Sequence, residues 1–178
     1  MEDQKIKRYH SRKEGKNIDD ADTLWKIIAQ AKYATLGMVT PEGEPYVIAI
    51  SYGYDREKGC LYFHTGHVGK KIEALRHQPR VCAFIMLDDG YVAGRCHHEY
   101  YSVICYGEIR KIEGEEEKRA ALKTMFYCLE ASREEAELAI RGRKLDEISL
   151  ERVNMLRLDI DGISGKMSSH LPSQRENA

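Results

Sequence analysis

The chain has 178 residues, enough for one domain with a sizeable core, and its 28 basic and 29 acidic side chains leave a formal charge of −1. So even a balance excludes a global field that would draw the protein to nucleic acid or anionic lipid. No apolar run approaches the roughly 20 residues of a membrane span and no signal-peptide core follows the start, so a soluble, cytoplasmic protein is expected; five scattered cysteines, an odd number, suit a reducing compartment.

Residues 1–18 collect Lys5, Lys7, Arg8, Arg12, Lys13 and Lys16 and are expected to form a flexible basic arm, with residues 19–166 as the folded domain and 167–178 as a polar tail. Asp19, Asp20 and Asp22 mark a helix start, and Leu24, Ile27, Ile28 and Ala31 follow as one apolar stripe. Tyr33 to Thr40 has strand character and ends in a turn at Pro41-Glu42-Gly43-Glu44. Tyr46 to Tyr54 (YVIAISYGY) is nearly all apolar, which predicts a second strand buried on both faces. A polar loop ending at Gly59 leads to a third strand, Cys60 to His64, so these three form an antiparallel meander.

Thr65-Gly66-His67-Val68-Gly69 is too rich in glycine to continue that strand, and Lys70-Lys71 opens a short helix that Pro79 stops. Strand, glycine loop and helix start together make an anion site, because loop amides and the first helical amides converge and the helix dipole adds positive potential. A phosphate is the expected guest; the plainer alternative is a solvated connection whose lysines face water. The nucleoside-triphosphatase loop does not match, since only two residues separate Gly66 from Gly69-Lys70 and no Ser or Thr follows.

Arg80 to Leu87 is the fourth strand. Asp88 to Tyr100 has no period and reads as loop; Tyr101 to Ile112 is a long strand with a bulge or close approach expected at Gly107. Glu115 to Glu130 is a helix that buries Leu122, Met125, Phe126 and Leu129, and Glu134 to Arg141 is a second helical piece. Arg152 to Ile160 is the sixth strand, and Asp161-Gly162 a turn before Ile163-Ser164-Gly165-Lys166. The fold expected is mainly β (α+β), an antiparallel six-stranded split β-barrel with flanking helices, without repeats or linkers.

The order of YATLGMVT, PYVIAISYGY, YFHTGHVGKK, HQPRVCAF, YYSVICYGEIRKIEG and Ser164-Gly165-Lys166 resembles the pyridoxamine 5′-phosphate oxidase-related flavoproteins with the FMN-binding split barrel, most closely the nitroimidazole-reductase branch. The resemblance spans roughly residues 20–166. It implies a homodimer with a flavin site at the subunit interface. It would have Thr65, Gly66, Lys70 and Lys71 around the FMN phosphate, His64 beside the ribityl chain or ring as the catalytic neighbour, and the backbone of Ile50, Ser51 and Tyr52 at the ring edge. Tyr101 and Ser102 would approach from the loop-to-strand junction, across the dimer. The arginine set that surrounds the vitamin substrate in the oxidase itself is missing here, so the resemblance points away from vitamin oxidation.

The plainer alternatives stand beside these. His64 can be a satisfied core histidine, His67 an exposed loop residue, and the many tyrosines barrel packing with a polar handle. Cys96-His97-His98-Glu99 suggests a metal site, but adjacent histidines in a loop point apart and no second ligand cluster has zinc spacing, so no metal is expected. The function expected is a cytoplasmic FMN-dependent oxidoreductase that reduces a small organic acceptor such as a nitroaromatic. The rivals are a non-catalytic barrel holding flavin or haem, with His97 or His170 as a possible axial ligand, and a dimeric interaction module with an empty site.

Overall fold

The computed structural model describes the backbone of Lys5–Ile6 and residues 16–168. The expectations for the remainder of the basic arm, for the tail beyond Ser168 and for His170 lie outside the described residues, whereas Asn17–Ile18 and Met167, expected in the arm and the tail, pair within the sheet. Helix α1 (Ala21–Gln30) starts where predicted: the Asp20 carboxylate accepts from the Thr23 amide at 2.8 Å, and Leu24, Trp25, Ile27 and Ile28 are buried. Trp25 lies against Tyr54, with ring centroids 6.2 Å apart.

Among the described residues nine strands form one sheet. Two short ones, β1 (Lys5–Ile6) and β2 (Asn17–Ile18), pair with the last strand, β1 in parallel. The others are β3 (Tyr33–Val39), β4 (Pro45–Ser51), β5 (Gly53–Asp55), β6 (Cys60–Thr65), β7 (Arg80–Val92), β8 (His97–Lys111) and β9 (Asn154–Met167), in the order β4-β3-β7-β8-β9-β6-β5. The predicted strand Tyr46–Tyr54 is therefore two strands. Up to Ser51 the chain pairs with β3; from Gly53 it pairs with β6. The two ends of the sheet are consecutive in sequence, joined through Tyr52, so the barrel is closed by the chain and left split between β4 and β6. Alternating side chains from these strands make the main core around Leu36, Phe63, Ile85, Val103 and Leu158.

Three expectations are corrected. Tyr46–Tyr54 is not buried on both faces in this chain: Val47, Ala49 and Ser51 are exposed while Tyr46, Ile48 and Ile50 turn inward. Asp88 to Tyr100 is largely strand, a ribbon extending β7 and β8 around a turn at residues 93–96. Neither face of that ribbon packs on the core, so backbone pairing holds it without leaving an apolar period. Asp161-Gly162 is no turn either. At that point β9 runs on, and the ladder shifts register between Tyr106 and Gly107, which face Gly162 and Ile160 and leave Asp161 as the extra residue. The bulge expected at Gly107 is present, and a Cβ there would lie 1.9 Å from the Asp159 carbonyl oxygen.

Helix α2 (Lys70–His77) crosses one end of the barrel and buries Ile72, Ala74 and Leu75. Helix α3 (Glu115–Leu129) lies against β5, where a Cβ on Gly53 would come within 2.9 Å of the Met125 Cα. Its deeply buried positions are Lys118, Ala121 and Met125; Leu122 and Phe126, only half-buried, instead pack beside Ile140 of α4 (Arg133–Gly142). The second layer of helices, invisible from α3 alone, takes up that part of the predicted stripe. Among the described residues no helix is long and apolar enough to cross a membrane.

Candidate functional site

The loop from Thr65 to Gly69 leaves the barrel at the end of β6 and feeds α2. Gly69 has φ of 111°, a value that disfavours any side chain, and it precedes the helix without a side-chain cap. The Gly69 carbonyl accepts from Ile72 and Glu73, at 2.8 and 3.1 Å, so the amides of Lys70 and Lys71 are left to an outside acceptor. Lys70 is exposed, its Nζ 5.0 Å from the Tyr46 ring centroid, and Lys71 is half-buried. No carboxylate lies between Thr65 and Lys71. Two free amides, a positive helix end and two ammonium groups make a donor set that fits a phosphate monoester.

A residue outside the sequence-based candidates shapes this loop. Asn154 pairs with Thr65 at the last rung between β6 and β9, and only 3% of its surface is exposed. Its Nδ2 donates to Thr65 Oγ1 at 3.0 Å and to the Gly66 carbonyl at 2.8 Å. The buried Thr65 hydroxyl in turn donates to the Gly66 carbonyl at 3.0 Å. Thr65 therefore holds the start of the loop in shape and spends its proton inside the chain. Asn154 sits 88 residues after Gly66, and no local pattern announces such a partnership.

The split lies beside this loop. β4 has β3 on one edge only, and β6 beyond Tyr62 has β9 on one edge only. Extending the Gly53–Tyr62 register would set Ser51 opposite His64, yet that ladder is not made. Ile50, Ser51 and Tyr52 on one side, and His64, Thr65 and Gly66 on the other, thus flank an opening with unpaired backbone groups. The His64 side chain is exposed, on the face opposite the buried Phe63 and Thr65. The Tyr52 side chain goes inward, where its hydroxyl donates to the Ile28 carbonyl at 2.6 Å and closes the end of α1, so residue 52 offers only backbone to the opening.

Tyr101 and Ser102 do not join this group within one chain. They pair with Leu87 and Met86 on β7 and with Met167 and Lys166 on β9, several strands from the split. Tyr101 is part of the core, and Ser102 Oγ donates to the Lys166 carbonyl at 3.3 Å. The outer face of the same sheet carries Tyr33, Val47, Met86 and Val39, exposed to 63%, 58%, 44% and 40%, a large apolar surface for a chain of this size.

In the ribbon, His98 Nε2 lies 2.6 Å from the Asp88 carboxylate, and Cys96 is exposed at the turn with φ of 46°. Among the described residues no group of three His, Cys, Asp or Glu side chains is arranged to hold a metal ion. Cys60 and Cys105 are sealed in the core, and burial pushes the Cys105 thiol up to about 12.

A sequence model described as pyridoxamine 5′-phosphate oxidase matches residues 20–167. No curated protein matches the chain. Among solved structures, a candidate 5-nitroimidazole antibiotic resistance protein from Bacteroides thetaiotaomicron superposes with a TM-score of 0.68 at 26% identity, covering 90% of this chain and 96% of that one. A flavocytochrome from Azotobacter vinelandii gives 0.66 at 21% identity, over 93% of this chain and 73% of that one. A FAD and heme binding protein from Mycobacterium smegmatis gives 0.63 at 19%, over 92% and 77%. At such identities the last two establish the shared fold alone.

Proposed function

This chain belongs to the pyridoxamine 5′-phosphate oxidase family, and from that premise we propose that it is a flavin-dependent oxidoreductase, a homodimer that holds FMN and reduces a small organic acceptor of the nitroaromatic kind. The observation that carries the reading is the placement of the uncapped start of α2, with Lys70 and Lys71, directly beside the unpaired edges of the split. The similarity to the candidate nitroimidazole resistance protein supports the acceptor class.

When bound, the flavin supplies transfer of two electrons between a reductant and the acceptor. The chain's own groups do the rest. The amides of Lys70 and Lys71 and their ammonium ions hold the phosphate, and Asn154 and Thr65 keep the preceding turn in shape for it. Backbone N–H groups at the edge of Ile50 to Tyr52 orient the polar rim of the ring, and as fixed donors they favour negative charge there without titrating. His64 stands at the mouth, open to a substrate. A second copy laid on the exposed face of β3, β4 and β7 would cover Tyr33, Val47 and Met86, exclude water from the opening, and bring its own β8, with Tyr101 and Ser102, toward it. An obligate interface of that kind buries roughly 2,000 Å² or more.

The test is the absorption spectrum of the purified protein, with its size in solution. Flavin bands, release of FMN on denaturation, bleaching by a reduced nicotinamide and recovery with a nitroaromatic, all in a dimer, are expected. A haem spectrum, or a flavin that binds and never turns over, would replace the enzyme with a binding protein; a colourless chain that takes up no FMN would refute the site.

A further inference from the structure

A second opening lies under α2, where the helix leaves the ends of β8 and β9 uncovered. It is a groove of about 360 Å³, within the range of small-molecule sites. Its apolar wall is Ile72 and Leu75 of the helix with Ile109 and Leu156 of the strands, core residues that keep 6–8% of their surface open. The polar groups along it are Arg76, Lys111 and His67, and no carboxylate lines it. Arg76 makes no ion pair or hydrogen bond among the described residues, whereas Lys111 is joined to Glu113 at 3.0 Å and His67 Nε2 lies 2.7 Å from the Arg152 carbonyl. Asn154 also borders the groove. With Nδ2 committed to Thr65 and Gly66, its buried Oδ1 has no partner, a cost an interior site carries only when something can meet that oxygen.

The groove is not the phosphate site. Six residues along an α-helix rotate by about 240°, so Arg76 stands about 120° round α2 from Lys70, which faces Tyr46. We propose that the groove is a second binding site, for a small organic anion with an apolar body and a hydrogen-bond donor. The apolar part would lie on Ile72, Leu75, Ile109 and Leu156, with the anion on Arg76 and, secondarily, Lys111. The donor would turn toward Asn154. The charge complementarity is one-sided, so an anion is favoured over a neutral or cationic molecule of the same size. This site is independent of whether the split holds a flavin.

The probe is 8-anilinonaphthalene-1-sulfonate, which has an aromatic body, one negative charge and one N–H. It is titrated by fluorescence into the protein as purified and again with FMN in excess, using wild type, Arg76→Ala and Arg76→Lys. Saturable binding of one probe per chain is expected, unaffected by FMN, weakened about 10-fold or more by Arg76→Ala and largely kept by Arg76→Lys. Arg76 is exposed, so these variants should fold. Absence of saturable binding, an affinity unchanged in Arg76→Ala, or one-for-one displacement by FMN would each overturn the assignment.

Discussion

Asn154→Ala tests whether the loop proposed to hold the phosphate is fixed from outside itself. The substitution removes the two hydrogen bonds to Thr65 Oγ1 and Gly66, at 3.0 and 2.8 Å, from a position that is 3% exposed. Net contributions of about 0.5–1.5 kcal/mol each predict a loss of roughly 1–3 kcal/mol, and Thr65 keeps its own bond to Gly66. Asn154→Asp should cost more at neutral pH, because a carboxylate would face the Gly66 carbonyl with no proton to offer. Urea denaturation followed by circular dichroism measures the stability. Titration of the flavin-free protein with FMN and riboflavin measures the loop. If the loop's order is spent on the phosphate, FMN affinity should fall by about 5- to 150-fold, and riboflavin affinity, which lacks that contact, far less. An unchanged denaturation midpoint in Asn154→Ala would show that the two bonds contribute nothing. Equal losses for FMN and riboflavin would show that Asn154 serves the barrel and not the phosphate.

Replacing Lys70 and Lys71 together by Ala should weaken FMN by ~10- to 150-fold per lost charge-assisted contact and leave riboflavin nearly unaffected; losses equal for both would remove the phosphate role. Val47→Lys puts a charge on the exposed face of β4 and should give a folded monomer by sedimentation, whereas an intact dimer would move the interface elsewhere. Gly107→Ala forces a Cβ to 1.9 Å from the Asp159 carbonyl oxygen, backbone against backbone, and should lower stability by about 1–3 kcal/mol or more; a neutral effect would mean the bulge opens freely. Hydrogen bonding from Arg110, at 2.5 Å, and then Arg157 hold the Glu117 carboxyl below the usual range. Its folded pKa is depressed, so its contribution is present above the unfolded value of about 4.3 and lost as pH falls through the folded one. The stability gap between wild type and Glu117→Gln should therefore close in acid, and a gap constant with pH would discard that account.

The strand edges at Tyr33, Cys60 and Arg80, the start of α1 at Asp20 and the glycine loop into α2 were legible in the chain, because each is a local matter of apolar period, cap or backbone freedom. The bulge at Gly107 was legible for the same reason: a glycine amid branched and aromatic strand residues marks a place where another backbone comes close. The ribbon of residues 88–100 was not, since pairing that buries neither face writes no period into the side chains. The break at Tyr52 was hidden too. YVIAISYGY is apolar nearly throughout and carries no turn signal at Tyr52, and only the different partners of its two halves, β3 and β6, divide it. Local chemistry thus determined most of the strands and helices and the glycine loop into α2 proposed as the phosphate site. The tertiary structure alone decided that β4 and β6 part beside the loop into α2, that Tyr101 and Ser102 lie far from that loop within one chain, and that Asn154 holds it. These are contacts between residues far apart in sequence, chosen by how the barrel closes, and closure is a property of the whole sheet.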